Sequence, residues 1–156
     1  MAEFKIRPAR ASEAEALSAL CARSKAHWGY DAEFMRLSAA SLTVRPEMIA
    51  SGRVVVAEND DDGRVLGVAA VAPLEEEGSY DLDRLFVEPD ALRRGVGQRL
   101  MLAAAEIARA EGAARLIILA DPNAAAFYER MGAVRTGDAP SDSIPGRALP
   151  LFRLDL

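Results

Sequence analysis

Residues 82–102 constrain the fold of this 156-residue chain more strongly than any other stretch. They begin with the apolar run 82–87, which is typical of a strand, and Pro89 ends that strand because proline cannot donate to a central ladder. A turn with two arginines and two glycines follows at residues 93–97 and leads into a long helical pattern. The sequence therefore predicts a strand, a basic turn and a helix in direct succession.

The turn at residues 93–97 has the features of an anion-binding site. The first amides of a helix have no partner within it, and the helix dipole adds partial positive charge there. Gly95 and Gly97 allow a phosphate to approach the main chain, and Arg93 and Arg94 add charge around it. No Gly-Lys-Ser/Thr follows, and the third glycine of a dinucleotide fingerprint is missing. The turn is thus either a phosphate site of another kind or only a tight connection.

Composition excludes several classes of function. The net charge of −5 and a pI near 5.0 argue against a nucleic-acid partner. One cysteine, Cys21, and one histidine, His27, allow neither an internal disulfide nor a zinc cluster, so we expect no metal. The first residues carry no signal pattern, and no apolar run reaches membrane-spanning length. We expect one cytoplasmic domain, residues 1–156, without a membrane partner.

The remaining patterns predict an α/β protein with a mixed sheet in the order β-α-α-β-β-β-α-β-α-β-β. Ser12, with Glu15 three residues later, predicts a capping box for the first helix, which frays near Ser24, and Asp31 begins the second. A helical turn is predicted at residues 46–50, a polar loop at 138–145, and helices at 97–111 and 123–131. Strands are predicted at residues 4–7, 53–58, 65–73, 80–87, 116–120, 133–136 and 149–154.

A second segment, residues 121–132, reads Asp-Pro-Asn-Ala-Ala-Ala-Phe-Tyr-Glu-Arg-Met-Gly. Together with residues 82–102 it resembles the GCN5-related N-acetyltransferases, and the resemblance covers nearly the whole chain in element order. It implies the GNAT fold, with a parallel pair formed by the fourth and fifth strands. It also implies that acetyl-CoA binds as co-substrate, with its pyrophosphate on the basic turn. Its pantetheine arm would lie between the parallel strands, which splay apart at their carboxyl ends.

The resemblance also implies which residues contact the coenzyme. The backbone amide of Phe86 or Val87 would stabilise the oxyanion formed on the acetyl carbonyl. The family usually has Arg or Gln where Leu92 stands here, and Arg93 or Arg94 could supply that charge instead. Asn123 either contacts the pantetheine or caps the helix that follows. The full coenzyme set is Leu85, Phe86, Val87, Arg93, Arg94, Gly95, Val96, Gly97, Gln98, Asn123 and Tyr128.

Proton transfer needs an acid and a base. The resemblance makes Tyr128 the general acid for the departing thiolate, since a phenol can hydrogen-bond to that anion or protonate it. A primary amine of pKa around ~10 is protonated at neutral pH and needs a base before it can attack. Asp81 and Asp83 face the cleft if the strand alternates regularly, and His27 is the one residue of the type that most often serves as a base in enzymes. We place Asp83 ahead of His27 as the base.

We expect the acceptor pocket at residues 26–30 and 143–147. His27, Trp28 and Tyr30 offer rings with polar edges, and Arg147 lies on a turn shaped by proline and glycine. The alternative is that Trp28 anchors the first two helices and Arg147 pairs with a surface acid. If Arg147 faces the cleft, the acceptor carries an anionic group.

These observations predict an N-acetyltransferase. It would transfer the acetyl group of acetyl-CoA to a primary amine of a small molecule or peptide. The amine attacks directly in a ternary complex, and Cys21 is not needed. The alternative is a non-catalytic domain that binds or senses acyl-CoA. An exposed terminal strand would allow a homodimer.

Overall fold

A seven-stranded mixed sheet forms the centre of the protein in a computed structural model, which describes residues 3–156. The strands lie in the order β1-β2-β3-β4-β5-β7-β6. Only β4 and β5 pair in parallel, and all other neighbours are antiparallel. The strands are β1 Phe4–Pro8, β2 Val54–Asn59, β3 Val65–Pro73, β4 Ser79–Val87, β5 Arg115–Leu119, β6 Val134–Pro140 and β7 Ala148–Asp155.

Helices cover both faces of this sheet. They are α1 Ala14–Ala26, α2 Ala32–Leu42, α3 Pro46–Ala50, α4 Val96–Ala110 and α5 Ala125–Arg130. Short 3-10 turns precede α1, α4 and α5, at Ala11–Glu13, Pro89–Ala91 and Pro122–Ala124. The predicted fold class, the element order and the parallel pair are therefore confirmed. Within the described residues, no helix combines the length and apolar character needed to cross a membrane.

Two buried clusters hold the helices on the sheet. Alternate residues of β2 point to opposite faces, so Val55 joins the cluster under α4 and Val56 joins the cluster under α1 and α2. Leu100 of α4 and Phe152 of β7 are fully buried in the first cluster. Cys21 of α1 is fully buried in the second. The central strands are thus covered on both faces, as continuous apolar runs require.

The predicted start of α1 is wrong. Ser12 lies within a 3-10 turn, and the capping carboxylate belongs to Glu13, whose Oε1 accepts from the backbone amide of Arg10 at 2.7 Å. The side chain of Arg7 on β1 donates to both oxygens of Glu13, at 3.0 and 2.7 Å. This ion pair between β1 and the turn fixes Glu13 rather than Glu15 at the helix entry. The helix also runs two residues past the predicted end at Ser24.

The polar segment near the end of the chain is partly a strand. β6 continues to Pro140, beyond the predicted end at residue 136, because Asp138, Ala139 and Pro140 pair with β7. β6 lies at the sheet edge, so polar residues tolerate exposure there. The last strand of the chain, β7, lies between β5 and β6 and is not the edge. Homodimer formation stays a prediction.

Candidate active site

The parallel strands β4 and β5 separate part-way along their length. They pair only at Ser79 with Arg115, Tyr80 with Leu116, and Asp81 with Ile117. β4 then continues to Val87 and β5 to Leu119 without pairing to each other. A cleft of about 890 Å³ lies at this gap. The predicted splay is confirmed.

One edge of β4 is free along the cleft. The amide of Glu88, just after β4, donates to the carbonyl of Leu66 in β3 at 2.8 Å. Main-chain groups of successive strand residues face opposite sides, so those of Phe86 also face β3. The same alternation directs the main-chain groups of Leu85 and Val87 into the gap. The cleft therefore has an unpaired strand edge as one wall.

The N-terminus of α4 forms another part of the cleft. The N-cap residue Gly95 has φ +80° and no side chain caps the helix. The first backbone hydrogen bond of the helix runs from the amide of Arg99 to the carbonyl of Gly95, at 3.2 Å. The amides of Val96, Gly97 and Gln98 have no acceptor within residues 3–156. Three free donors at the positive end of a 15-residue helix are suited to an anion.

The side chains around this turn differ in their surroundings. Arg93, in the left-handed conformation at φ 69°, is exposed and lines the cleft together with Gln98. Arg94 is outside the lining and lies 3.7 Å from the carboxylate of Glu3. The side chain of Val96 is buried in the core, so it offers a ligand only its amide. Of the two arginines, Arg93 is the one that faces the cleft.

Tyr128 of α5 lies at the inner wall of the cleft. Its side chain is 7% exposed and packs against the rings of Phe127 and Phe152. Its hydroxyl has no hydrogen-bond partner within the described residues. The oxygen is not fully buried, so a ligand in the cleft can reach it. Burial raises the pKa of Tyr128 well above its ordinary value, and the charges of Asp121 and Asp81 add to the shift. At neutral pH the phenol is therefore protonated and free to donate.

The two acidic residues of β4 differ in their environment. Ala70 of β3 pairs with Arg84 and Val71 with Leu82, so Asp83 is the extra residue of a β-bulge. The regular alternation that the sequence suggested is therefore wrong. Both aspartates still line the cleft. Asp83 accepts a hydrogen bond from Arg84 Nη1 at 2.7 Å.

Asp81 has no hydrogen-bond or ion-pair partner within residues 3–156 and is half-buried. Burial raises the pKa of Asp81 to about 6, and the nearby charges of Asp83 and Asp142 contribute, while Arg84 opposes them. A carboxylate in this state is mostly ionised at neutral pH and accepts a proton more readily than an ordinary aspartate. Of the two aspartates of β4, Asp81 is therefore the one whose carboxylate is free to act.

Asp121, just after β5, joins several parts of the chain. Its Oδ1 accepts from the amide and the Nδ2 of Asn123, at 2.8 and 2.9 Å. Its Oδ2 accepts from Lys25 Nζ at 2.6 Å and from the hydroxyl of Tyr30 at 2.8 Å. Burial opposes ionisation, but the bonds from Lys25 and the Asn123 amide outweigh it and hold the pKa of Asp121 below its ordinary value.

Asp121 also caps the 3-10 turn that begins at Pro122. The interpretation of Asn123 as the cap is therefore wrong. Sequence reasoning missed both Asp121 and Lys25. The signal for Asp121 was present, because an aspartate directly before a proline is a typical helix start. Nothing in the sequence pointed to Lys25, which is 96 residues away.

The predicted acceptor residues lie at two depths. His27 and Trp28 are exposed, with ring centroids 5.0 Å apart, and both line the cleft. Tyr30 lies behind them, outside the lining, and stacks on Phe34 with centroids 3.9 Å apart. Arg147 lines the cleft, and its Nη2 donates to the Tyr30 hydroxyl at 2.8 Å. Trp28 forms the rim of the pocket, whereas Tyr30 supports Arg147.

Residues 50–132, which include β4, α4 and β5, match a family model described as an acetyltransferase (GNAT) domain. The chain belongs to the GNAT acetyltransferase family. A search of curated proteins gave no match.

Solved GNAT structures share the whole architecture. A GCN5-related N-acetyltransferase from Rhodopseudomonas palustris is 27% identical, with a TM-score of 0.77 over all of this chain and 98% of that one. The PaiA N-acetyltransferase from Thermoplasma acidophilum, solved with coenzyme A, is 15% identical, with a TM-score of 0.77 over the full length of both chains. A GNAT acetyltransferase from Brucella melitensis, solved with acetyl-CoA, is 22% identical, with a TM-score of 0.66 over 97% of this chain and 87% of that one. The last two likenesses show the fold alone.

The GNAT family implies acetyl-CoA as co-substrate, and the residues present fit it. The free edge at Leu85 and Val87 suits the amides of a pantetheine arm, which can add to it like a strand. The free amides of Val96, Gly97 and Gln98 suit a diphosphate. Family membership and fit together support an acyl-CoA-dependent acetyltransferase.

Proposed function

We propose that the protein transfers the acetyl group of acetyl-CoA to a primary amine of a small molecule or peptide, by direct attack in a ternary complex. One observation carries the proposal. The free edge of β4 and the uncapped start of α4 border the same cleft as an unpartnered phenol, Tyr128, and an unpartnered carboxylate, Asp81. Such a cleft can hold a thioester and an amine in contact, and proximity is the main requirement of direct attack.

Coenzyme binding uses mostly main-chain groups. The diphosphate accepts from the amides of Val96, Gly97 and Gln98, with Arg93 beside it. The pantetheine amides bond to the free edge of β4, at the main chain of Leu85 and at the carbonyl of Val87. Asn123 already donates through Nδ2 to Asp121 and Tyr30. Its carbonyl oxygen is therefore the group left to accept from a pantetheine amide.

The acetyl carbonyl needs a donor for the negative charge that develops in the transition state. Val87 is a better donor than Phe86, because the strand alternation directs the Val87 amide into the gap and the Phe86 amide toward β3. The Phe86 side chain packs against the cluster under α1 and α2. The proposal therefore assigns the oxyanion to Val87.

Tyr128 serves the departing coenzyme. When the carbon–sulfur bond breaks, the sulfur carries the electron pair as a thiolate, whose conjugate acid has a pKa near ~8.5. The protonated phenol, which has no competing partner, hydrogen-bonds to that sulfur or protonates it. Tyr128 is therefore assigned as the general acid.

Asp81 serves the incoming amine. It accepts a proton from the ammonium group, and the freed amine attacks the acetyl carbon. Asp83 is a weaker candidate because Arg84 holds it, and His27 lies exposed at the cleft mouth. Asp81 therefore replaces Asp83 as the preferred base.

Two measurements test this function. Thermal shift with acetyl-CoA tests the binding of the co-substrate, and release of free coenzyme A thiol over a panel of amines tests turnover. We expect stabilisation by acetyl-CoA and thiol release with at least one amine. Stabilisation without thiol release across the panel would favour an acyl-CoA sensing domain, and absence of stabilisation would reject both.

A further inference from the structure

We propose that the acceptor carries an oxyanion group, a carboxylate or a phosphate, besides its amine, and that Arg147 binds this group. The inference rests on the proposed function, because it names the substrate class for the same cleft.

The guanidinium of Arg147 is held in place before any ligand binds. Its central carbon lies 4.8 Å from the ring centroid of Phe34 and 5.2 Å from that of Tyr30, whose rings stack on each other. Its Nη2 donates to the Tyr30 hydroxyl, and its side chain is 20% exposed in the cleft. Nε and Nη1 have no partner among the described residues. A fixed planar cation with free donors is suited to an oxyanion.

The charge of Arg147 is not balanced by the protein. Its nearest carboxylate is Asp121, at 3.8 Å, and Lys25 is closer to the same carboxylate at 2.6 Å. The two oxygens of Asp121 already accept four hydrogen bonds, two from Asn123 and one each from Lys25 and Tyr30. A carboxylate has about four acceptor positions, so these bonds use its capacity. Two cations thus share one carboxylate, and one positive charge remains.

Two carboxylates of the cleft, those of Asp81 and Asp142, suit the amine of the same molecule. Asp142 lies in the loop that carries Arg147, is exposed, and forms no ion pair with it. Its charge acts on Asp81, the proposed base. Carboxylates at one position and an unbalanced guanidinium at another together favour an acceptor that carries both an ammonium and an oxyanion.

Paired acceptors test the inference. Amino acids are compared with their amides, and phosphoethanolamine with ethanolamine, in assays of thiol release and in equilibrium binding to the protein with coenzyme A. We expect the anionic member of at least one pair to be favoured by tenfold or more. Arg147→Gln should remove that preference through the acceptor KM and leave the KM of acetyl-CoA unchanged. Arg36→Gln, at an exposed arginine paired with Glu33, is the matched control.

A second variant distinguishes two roles of Arg147, binding of the acceptor and stabilisation of its own loop. Tyr30→Phe removes the hydroxyl that bonds to Arg147, Asp121 and Asn123, but it keeps the ring of residue 30 and the charge of Arg147. If Arg147 only braced its loop, Tyr30→Phe and Arg147→Gln would weaken anionic and neutral acceptors alike. That result, or equal binding of the two members of every pair, overturns the inference. Absence of thiol release with every amine rejects the proposed function instead, and the binding comparison still decides the charge preference.

Discussion

Asp81 and Ile117 are the last residues at which the parallel strands β4 and β5 pair. Beyond them the strands separate, so Asp81 lies where the sheet opens into the cleft. This position explains why its carboxylate is half-buried and unpartnered while the residues that follow it present a free strand edge. The same gap therefore borders both the proposed coenzyme site and the proposed base.

The pH dependence of turnover tests Asp81. Its pKa is raised to about 6, and a base must be deprotonated to act. We expect kcat/KM to rise with pH up to a plateau above about pH 6, and Asp81→Asn to lower the plateau about 100-fold. The measurement is a pH profile of coenzyme A release. A profile unchanged in Asp81→Asn would exclude Asp81 as the base.

The contribution of Asp81 to the free energy of unfolding should fall as pH rises, whereas its contribution to turnover should increase. The pKa of Asp81 in the folded protein lies above the ordinary value of 3.8, so the folded state binds more protons than the unfolded state between about pH 4 and 6. Stability from this group is therefore present below pH 4 and is lost as pH rises through 6. We expect Asp81→Asn to raise the free energy of unfolding at pH 7 by about 1 kcal/mol, a value reduced for partial exposure. Urea unfolding at pH 7 and pH 4 measures this, and a gain of equal size at both pH values would contradict it.

Tyr128→Phe tests the general acid. The hydroxyl has no partner in the described chain, so its loss should not disturb packing. We expect kcat to fall about 100-fold, while the KM of acetyl-CoA and the melting temperature stay near the wild-type values. Steady-state kinetics and a melting curve measure these quantities. Retention of wild-type turnover would remove Tyr128 from the mechanism.

Asp121→Asn tests the network that joins α1, the α1–α2 loop and the β6–β7 loop. The amide cannot balance Lys25, whose side chain is only 15% exposed. We expect the free energy of unfolding to fall by about 2 kcal/mol and the acceptor KM to rise several-fold. Glu33→Gln, which breaks an exposed ion pair with Arg36, should change neither quantity measurably. Equal effects of the two variants in urea unfolding and kinetics would contradict this role.

Cys21 tests direct attack against an acetyl-enzyme intermediate. It is fully buried, and burial raises the pKa of its thiol to about 12. We expect Cys21→Ala to keep kcat within about twofold and to cost about 1 kcal/mol of stability. Intact mass measurement during turnover should find no acetylated protein. An acetyl adduct on Cys21 would contradict the mechanism.

The sequence predicted the secondary-structure elements and turns that neighbouring residues determine. The strand ending before Pro89, the turn around Gly95 and the helix after it are each determined by neighbouring residues, and the structure has all three. The parallel pair came from the family resemblance. The prediction was weaker at Glu13, which takes the capping position because Arg7 at the end of β1 holds it, a contact that the helical pattern does not indicate.

The surroundings of the candidate catalytic side chains were harder to predict, because the assembled sheet decides them. Regular alternation placed Asp81 and Asp83 as equals, but the bulge at Asp83 lets Arg84 bind it and leaves Asp81 free. The contacts of Asp121 with Lys25 and Tyr30 join residues more than 90 positions apart. No local pattern indicates such contacts, because they form only when the sheet assembles.

The most direct measurement is a crystal structure of the protein with acetyl-CoA. We expect the diphosphate on the amides of Val96, Gly97 and Gln98, and the pantetheine along β4 at Leu85 and Val87. Acetyl-CoA bound elsewhere, with these amides left free, would contradict it.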